Sequence, residues 1–141
     1  MSSNHAASEA ARAYRQRDIE TADPLGLVVR VLELASQHLA RARTALAAGN
    51  AAAKGGHIDR VCRAIALLQG SLDMEQAPVA DNLDRLYHYM QLRLTAGHLH
   101  NDDTALAEVG GHLAELASAW RQAAEQPSTP ATAPPAAVAA R

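Results

Sequence analysis

Apolar residues recur at steps of three and four positions in four successive stretches of the chain. That spacing places them on one face of an α-helix in each stretch. The predicted helices cover about residues 24–48, 51–76, 79–100 and 103–124. Four helices joined by short loops pack most simply as an antiparallel up-down four-helix bundle. The predicted fold class is therefore all-α.

Start signals mark three of these helices. Asp23 is placed to be the N-cap of the first helix, with Pro24 as its first residue, where a missing N–H costs nothing. Thr21 is a second possible cap. Asn50 can cap the second helix, and one of the acids at 102–103 can cap the fourth.

The first and third predicted helices are apolar on two sides. The second stripe of the first helix consists of Leu27, Val31, Leu34 and His38. The second stripe of the third helix consists of Tyr89, Leu92 and Leu99. A helix of this kind either lies between neighbours in a bundle or keeps one stripe for a partner. We expect His38 to be a hydrogen-bonded histidine or one at the edge of the core.

The two ends of the chain differ in composition from the predicted bundle, which covers residues 21–125. Residues 1–20 are mostly small or polar, with Tyr14 and Ile19 as isolated apolar positions, and are predicted to form a loose, mobile N-terminal arm. Four of the six prolines lie in residues 126–141, and this segment is predicted to be a disordered tail.

Bulk composition narrows the function classes. The 141 residues suffice for one domain with a core, and a net charge of -2 with a pI near 6.4 argues against a nucleic-acid binder. The single cysteine, Cys62, lies in an apolar stripe, which predicts a buried thiol in a reducing compartment. Neither a secretory signal nor an apolar run long enough to span a membrane is evident, so we expect a cytoplasmic protein.

Catalytic patterns do not emerge from the residues. The phosphate-binding, dinucleotide-binding, nucleophile-elbow and zinc-protease motifs are all missing, and so is the Glu-x-x-His pair of di-iron bundles. Glu108 and His112, four positions apart, are expected to make an ordinary contact on a helix surface. The sequence predicts neither an enzyme nor a cofactor.

An alternative class is a small helical bundle with a metal-binding or regulatory role. Its best candidates are His98 and His100, followed by Asp102 and Asp103. Residues two positions apart on a helix do not share a face, and the acidic pair already has a capping role. Metal analysis of the purified protein would test this alternative.

Three segments, in this order, resemble the FliS family of flagellar export chaperones. They are AYRQRDIETADPLGLVVRVLE at 13–33, ADNLDRLYHYMQLRL at 80–94 and NDDTALAEVGGHLAELASAW at 101–120. The first is similar to the family's tyrosine followed by a Thr-Ala-Ser-Pro helix start, with Asp23 in place of the serine. The second is similar to its Asn-x-x-x-Leu-Tyr-x-Tyr-Met helix, with His88 where an acid often stands. Val31 to Leu34 replace the family's common Leu-Tyr-Asp/Asn-Gly.

The resemblance implies an antiparallel four-helix bundle that binds the disordered C-terminal segment of flagellin. In this family, binding keeps the filament subunit from polymerising in the cytosol and helps deliver it to the flagellar type III export gate. Members also bind other flagellar proteins, including an anti-sigma factor in some lineages. No membrane span and no nucleic-acid partner are implied.

Positions that match the family's pattern are the candidate contacts with the client or with a lid formed by the N-terminal arm. They are Tyr14, Ile19, Leu25, Leu86, Tyr87, Tyr89 and Met90. Each can instead belong to the core, and helical spacing favours the core for Leu86, Tyr87 and Met90. Tyr89 and Tyr14 leave the main stripes and are the stronger candidates for interaction.

Overall fold

The computed structural model describes residues 7–10 and 23–125, and the secondary structure in these ranges is entirely helical. The long helices are α1 (Pro24–Ala47), α2 (Ala51–Gly70), α3 (Val79–His100) and α4 (Asp103–Glu125), and a short 3₁₀ turn (Met74–Gln76) precedes α3. The main packing partners of α1 are α2 and α4, and those of α3 are the same two helices. The all-α prediction is confirmed.

Side-chain caps hold the starts of three helices. The carboxylate of Asp23 accepts a hydrogen bond of 3.1 Å from the N–H of Gly26, and Asn50 accepts one of 3.1 Å from Ala53. Asp102, rather than its neighbour, caps α4. These bonds satisfy backbone donors that the first turn of a helix leaves without partners. The predicted caps of α1 and α2 are confirmed, while Thr21 lies outside the described residues.

The end of α2 falls earlier than predicted. The apolar pattern predicts a helix that fades at residues 74–76, whereas α2 ends at Gly70. The hydroxyl of Ser71 donates to the carbonyl of Leu68 at 2.9 Å, and the side chain of Asp73 accepts from the N–H of Glu75 at 3.1 Å. Local bonds of this kind compete with the helical pattern, and the chain turns before α3 as a result.

A close contact between α3 and α4 lies at Gly97. A Cβ atom at this position would lie 2.6 Å from Cδ2 of Leu106, so only glycine fits without movement. For Gly110 and Gly111 the sequence leaves two interpretations open, since the pair either weakens the middle of α4 or lets a neighbour approach closely. There the nearest atom to a Cβ on Gly110 would be Cδ2 of Leu39, at an ordinary 3.5 Å, and a Cβ on Gly111 would meet nothing within 4 Å.

One apolar cluster forms the core, and its largest side chains are Trp120 and Tyr87. Ala7 and Ala10, in the helical residues 7–10, belong to this cluster. The remainder of the predicted arm, with Tyr14 and Ile19, and the predicted tail lie outside the described residues and stay predictions.

Cys62 packs against the core from a half-buried position on α2. Burial raises the pKa of its thiol, with a further contribution from the charge of Asp59. The thiol therefore stays protonated and uncharged at neutral pH, which is consistent with its packing against the apolar core.

Candidate functional site

The second stripe of α1 borders a groove between α1 and α2. Leu27 and Leu34 of α1 and Leu67 of α2 are each more than half exposed. The groove has a volume of about 340 Å³ and is hereafter called the α1–α2 groove. Its lining consists of Val31, Leu34, Ala35 and His38 from α1 and Arg60, Arg63, Ala64 and Leu67 from α2. Large apolar side chains grouped in this way are characteristic of a surface that binds another chain.

A pair of histidines joins the two helices at one end of the groove. Nδ1 of His38 lies 3.1 Å from Nδ1 of His57, and the ring centroids are 5.3 Å apart. For two imidazole rings whose Nδ1 atoms are 3.1 Å apart, a centroid separation of 5.3 Å is close to the maximum. The two nitrogens therefore point at each other, as in an N–H···N hydrogen bond. Burial lowers the pKa of His38, and the nearby charges of Arg60, His57 and Arg41 lower it further. The expectation of a hydrogen-bonded histidine is confirmed.

The α2 side of the groove is cationic. Arg63 forms an exposed ion pair with Asp59 at 2.9 Å, one helical turn away. Arg60 makes no ion pair with any residue in 7–10 or 23–125. The rim therefore carries positive charge that is only partly balanced locally, although the whole chain has a net charge of -2.

The second stripe of α3 forms another apolar surface, hereafter called the α3 stripe, which consists of Tyr89, Leu92 and Leu99. Their side chains are 42%, 56% and 68% exposed. The same helix buries Leu83, Met90 and Leu94 in the core. Sequence periodicity predicts that this helix is apolar on two sides. In the described residues, the second of these sides faces solvent.

Tyr89 is held in place by a polar network that crosses to α4. Its hydroxyl donates to Oε2 of Glu108, and Nε of Arg93 donates to Oε1 of the same carboxylate at 2.9 Å. The hydrogen bond to Glu108 raises the pKa of Tyr89, while the same bond, followed by the one from Arg93, lowers the pKa of Glu108. His112 meets the tyrosine ring edge-on at 6.2 Å. The phenol is thus neutral and the carboxylate charged at neutral pH.

The expected contact between Glu108 and His112 is present, with an Oε2 to Nε2 distance of 3.8 Å. The sequence did not indicate that Glu108 also binds Tyr89 and Arg93. Those residues lie 19 and 15 positions away, so only the packing of α3 on α4 brings them together.

The sequence-predicted site residues separate into buried and exposed groups. Leu25, Tyr87 and Met90 are at most 5% exposed and belong to the core. Leu86 is half-buried against the core, and Tyr89 faces solvent. The two tyrosines of α3 point in different directions, and their roles as contacts stay predictions. Leu67 and Arg60, which complete the α1–α2 groove, were not among the predicted residues.

The acidic residues of the metal alternative have other partners. Asp102 caps α4, and both carboxylate oxygens of Asp103 accept hydrogen bonds from Arg43, at 2.8 and 2.9 Å. Within residues 7–10 and 23–125, no three histidine, cysteine or acidic side chains lie close enough together to hold a metal ion. Among the helices of the same ranges, none is both long and apolar enough to cross a membrane.

Two exposed apolar surfaces on a helical domain, each bordered by charged side chains, are typical of proteins that bind other polypeptides. The family model for the flagellar protein FliS matches residues 6–127. The chain belongs to the FliS family, which is a family of chaperones rather than of enzymes.

Relatives from several bacteria support this assignment. The flagellar secretion chaperone FliS of Salmonella typhimurium is 37% identical over 117 residues, which cover 79% of this chain and 87% of that relative. The flagellar secretion chaperone FliSB of Pseudomonas aeruginosa is 35% identical over 119 residues, or 81% and 94% of the two chains. FliS of Bacillus subtilis is 26% identical over 111 residues, or 79% and 83%.

Proposed function

We propose that this protein is a cytoplasmic chaperone that binds the C-terminal segment of flagellin, prevents its premature polymerisation and assists its export through the flagellar type III system. The observation that carries the proposal is the exposure of the second apolar stripes of α1 and α3. Membership of the FliS family supports it, because relatives in that family are named flagellar secretion chaperones. The export gate and other flagellar proteins are further proposed partners, and no catalytic step is involved.

The proposed architecture is an antiparallel up-down four-helix bundle. Segments 48–50 and 101–102, which connect α1 to α2 and α3 to α4, are short, and short connections favour antiparallel neighbours. Because α1 and α3 both pack mainly on α2 and α4, they occupy diagonal positions in such a bundle. The α1–α2 groove and the α3 stripe then face different directions. A client that covers both must extend around the domain.

The free energy of binding favours a client that contacts both apolar surfaces over one that docks a single helix on one of them. A disordered segment that folds on binding costs about 2–5 kcal/mol in ordering and typically buries ~1,000–3,000 Å². At ~25 cal/mol per Å² of apolar area, one small pocket does not offset that cost. Contacts on both apolar surfaces supply the additional area.

The N-terminal arm is proposed to cover part of the client surface when no client is bound. Its isolated apolar residues, Tyr14 and Ile19, are suited to docking on an apolar surface through a few side chains. Ala7 and Ala10 already lie in the core, so the arm is attached to the domain at one point before α1 begins.

Calorimetry with a peptide of the flagellin C-terminal segment tests the proposal. We expect saturable binding by the whole chain and inhibition of flagellin polymerisation at matching concentrations. Leu92→Ser should weaken binding, because it removes the apolar side chain from the middle of the α3 stripe. Ala114→Ser, at an exposed position of α4, is the control and should not. Absence of binding by the folded wild-type chain would refute the proposed function.

A further inference from the structure

We propose that the α1–α2 groove accepts an amphipathic helix of about two turns, whose apolar stripe is flanked by aspartate or glutamate. The inference rests on the proposed function, because the helix is assigned to the flagellin segment that the chaperone binds. It specifies the chemistry of that segment, which neither the family assignment nor the apolar stripes alone supply.

The length of the helix follows from the stripe on α1. The part of this stripe that lines the groove runs from Val31 to His38, and seven steps of about 1.5 Å make it roughly 10 Å long. A helix lying along the groove contacts it over the same length, which is about two turns. The histidine pair joins α1 to α2 at one end and limits how far the docked helix extends in that direction.

The shape of the groove favours a helix over an extended strand. Its floor contains Ala35 and Ala64, whose small side chains let another backbone approach closely. Leu34 and Leu67 rise on opposite sides, both more than half exposed. Apolar side chains of a docked helix, repeating every three to four residues, can insert between these two leucines, as ridges do into grooves when helices pack.

Charge at the rim selects the flanking residues of the bound helix. Arg60 has no carboxylate partner in residues 7–10 and 23–125, and the pair of Arg63 with Asp59 is exposed and therefore weak. On the α1 side, the charge of Glu33 is already matched by Arg121 of α4, whose guanidinium lies 2.8 Å away. A helix flanked by acids gains favourable electrostatics here, and one flanked by lysines is repelled.

Two designed peptides with the same apolar stripe, one flanked by glutamate and the other by lysine, test the inference on the full chain. We expect the glutamate peptide to bind at least about ten-fold more tightly in low salt, with a difference that shrinks as salt is added. The double variant Arg60→Gln, Arg63→Gln should reduce the preference to a few-fold. Arg85→Gln, at an exposed position of α3, is the matched control and should keep it.

Two further variants separate charge from apolar contact. Arg60→Glu should shift the preference toward the lysine peptide, and Leu34→Ser should weaken both peptides together. Equal affinity of the wild-type chain for the two peptides would overturn the inference, as would a preference that survives the double arginine variant.

The flagellin segment itself distinguishes this inference from the proposed function. If it binds the wild-type chain and the double arginine variant equally well, the assignment of acid-flanked chemistry to this groove is wrong and the chaperone function stands. If the glutamate peptide binds and the flagellin segment does not, the proposed function fails, and with it the identity of the partner.

Discussion

The ammonium group of Lys54 in α2 donates a hydrogen bond of 3.0 Å to the carbonyl oxygen of His98, close to the end of α3. The same group donates to the side-chain oxygen of Asn101, in the turn that leads to α4. The last carbonyl groups of a helix have no partner within the helix, and a cation there is favourable. A side chain from α2 thus completes the end of α3, from a position only 5% exposed.

Replacement of this lysine should destabilise the fold. Lys54→Met keeps an unbranched side chain but leaves the carbonyl of His98 without its donor, and we expect a loss of about 2 kcal/mol, within the range for hydrogen bonds to charged groups. Urea denaturation measures the change. Ala52→Ser, at an exposed position in the same turn region, is the control. An unchanged unfolding midpoint for Lys54→Met would show that the bond contributes little.

Two glycine substitutions should have opposite effects. Gly97→Ala places a Cβ atom 2.6 Å from Leu106 and 3.2 Å from the carbonyl oxygen of Asp102, so we expect a destabilisation of about 1–3 kcal/mol. Gly111→Ala meets nothing within 4 Å inside α4 and should stabilise the protein by up to about 1 kcal/mol. Thermal unfolding of the two variants, compared with the wild type, tests the pair. Similar shifts in both would contradict the close approach at Gly97.

Loss of the Tyr89 side chain should affect binding more than stability. Tyr89→Ala removes a 42% exposed ring from the α3 stripe, so we expect weaker binding of the flagellin segment with a nearly unchanged melting temperature. Calorimetry and thermal unfolding on the same sample give both quantities. Tyr89→Phe removes only the hydroxyl that donates to Glu108 and separates the ring from the hydrogen bond. A large fall in melting temperature for the alanine variant would assign Tyr89 to the core.

Stability should depend on pH through the histidine pair. The pKa of His38 is lowered in the folded state from its ordinary 6.5, by burial and then by Arg60, His57 and Arg41. Protonation therefore favours the unfolded chain, and the stabilisation present above about pH 6.5 is lost as the pH falls through the lowered value.

The urea midpoint at pH 7.5 and at pH 5.5 measures this effect. We expect a larger fall for the wild type than for His38→Gln, and a wild-type fall for His88→Gln, which alters an exposed histidine of α3. The carboxyls of Asp103 and Glu108, whose pKa values are lowered from 3.8 and 4.5, titrate below this window. Identical pH dependence in the wild type and His38→Gln would exclude a role for the pair.

Removal of the arm should uncover apolar surface. We expect deletion of residues 1–18 to leave a folded domain that binds more of an apolar fluorescent dye. The double variant Tyr14→Ser, Ile19→Ser should reproduce part of the increase while keeping Ala7 and Ala10 in the core. Unchanged dye binding in the deletion would remove the idea of a covering arm.

Local signals in the sequence predicted the helices well, because capping and helical periodicity act within a few residues. Asp23 and Asn50 cap the helices they were expected to cap, and α3 has the predicted bounds. Apolar spacing alone places the end of α2 too late, because it does not register the short-range bonds of Ser71 and Asp73.

Features that depend on packing between helices were not predictable in the same way. The second stripes of α1 and α3 were visible in the pattern, but whether a neighbour would cover them was not. Two pairings depend on which helices are adjacent and on how far along their axes the side chains meet. They are His38 with His57 and Tyr89 with Glu108. The tight contact at Gly97 likewise depends on where Leu106 meets α3.

Lys54 is the only lysine in the chain, and the other twelve basic residues are arginines. Because its amine is buried at the end of α3, the described part of the chain offers no exposed lysine for acylation. Lysine acetylation, which removes the positive charge of an amine, therefore has no target along the α1–α2 groove. Guanidinium groups also keep their charge across the physiological pH range. The electrostatic pattern that a client meets is, in this sense, permanent.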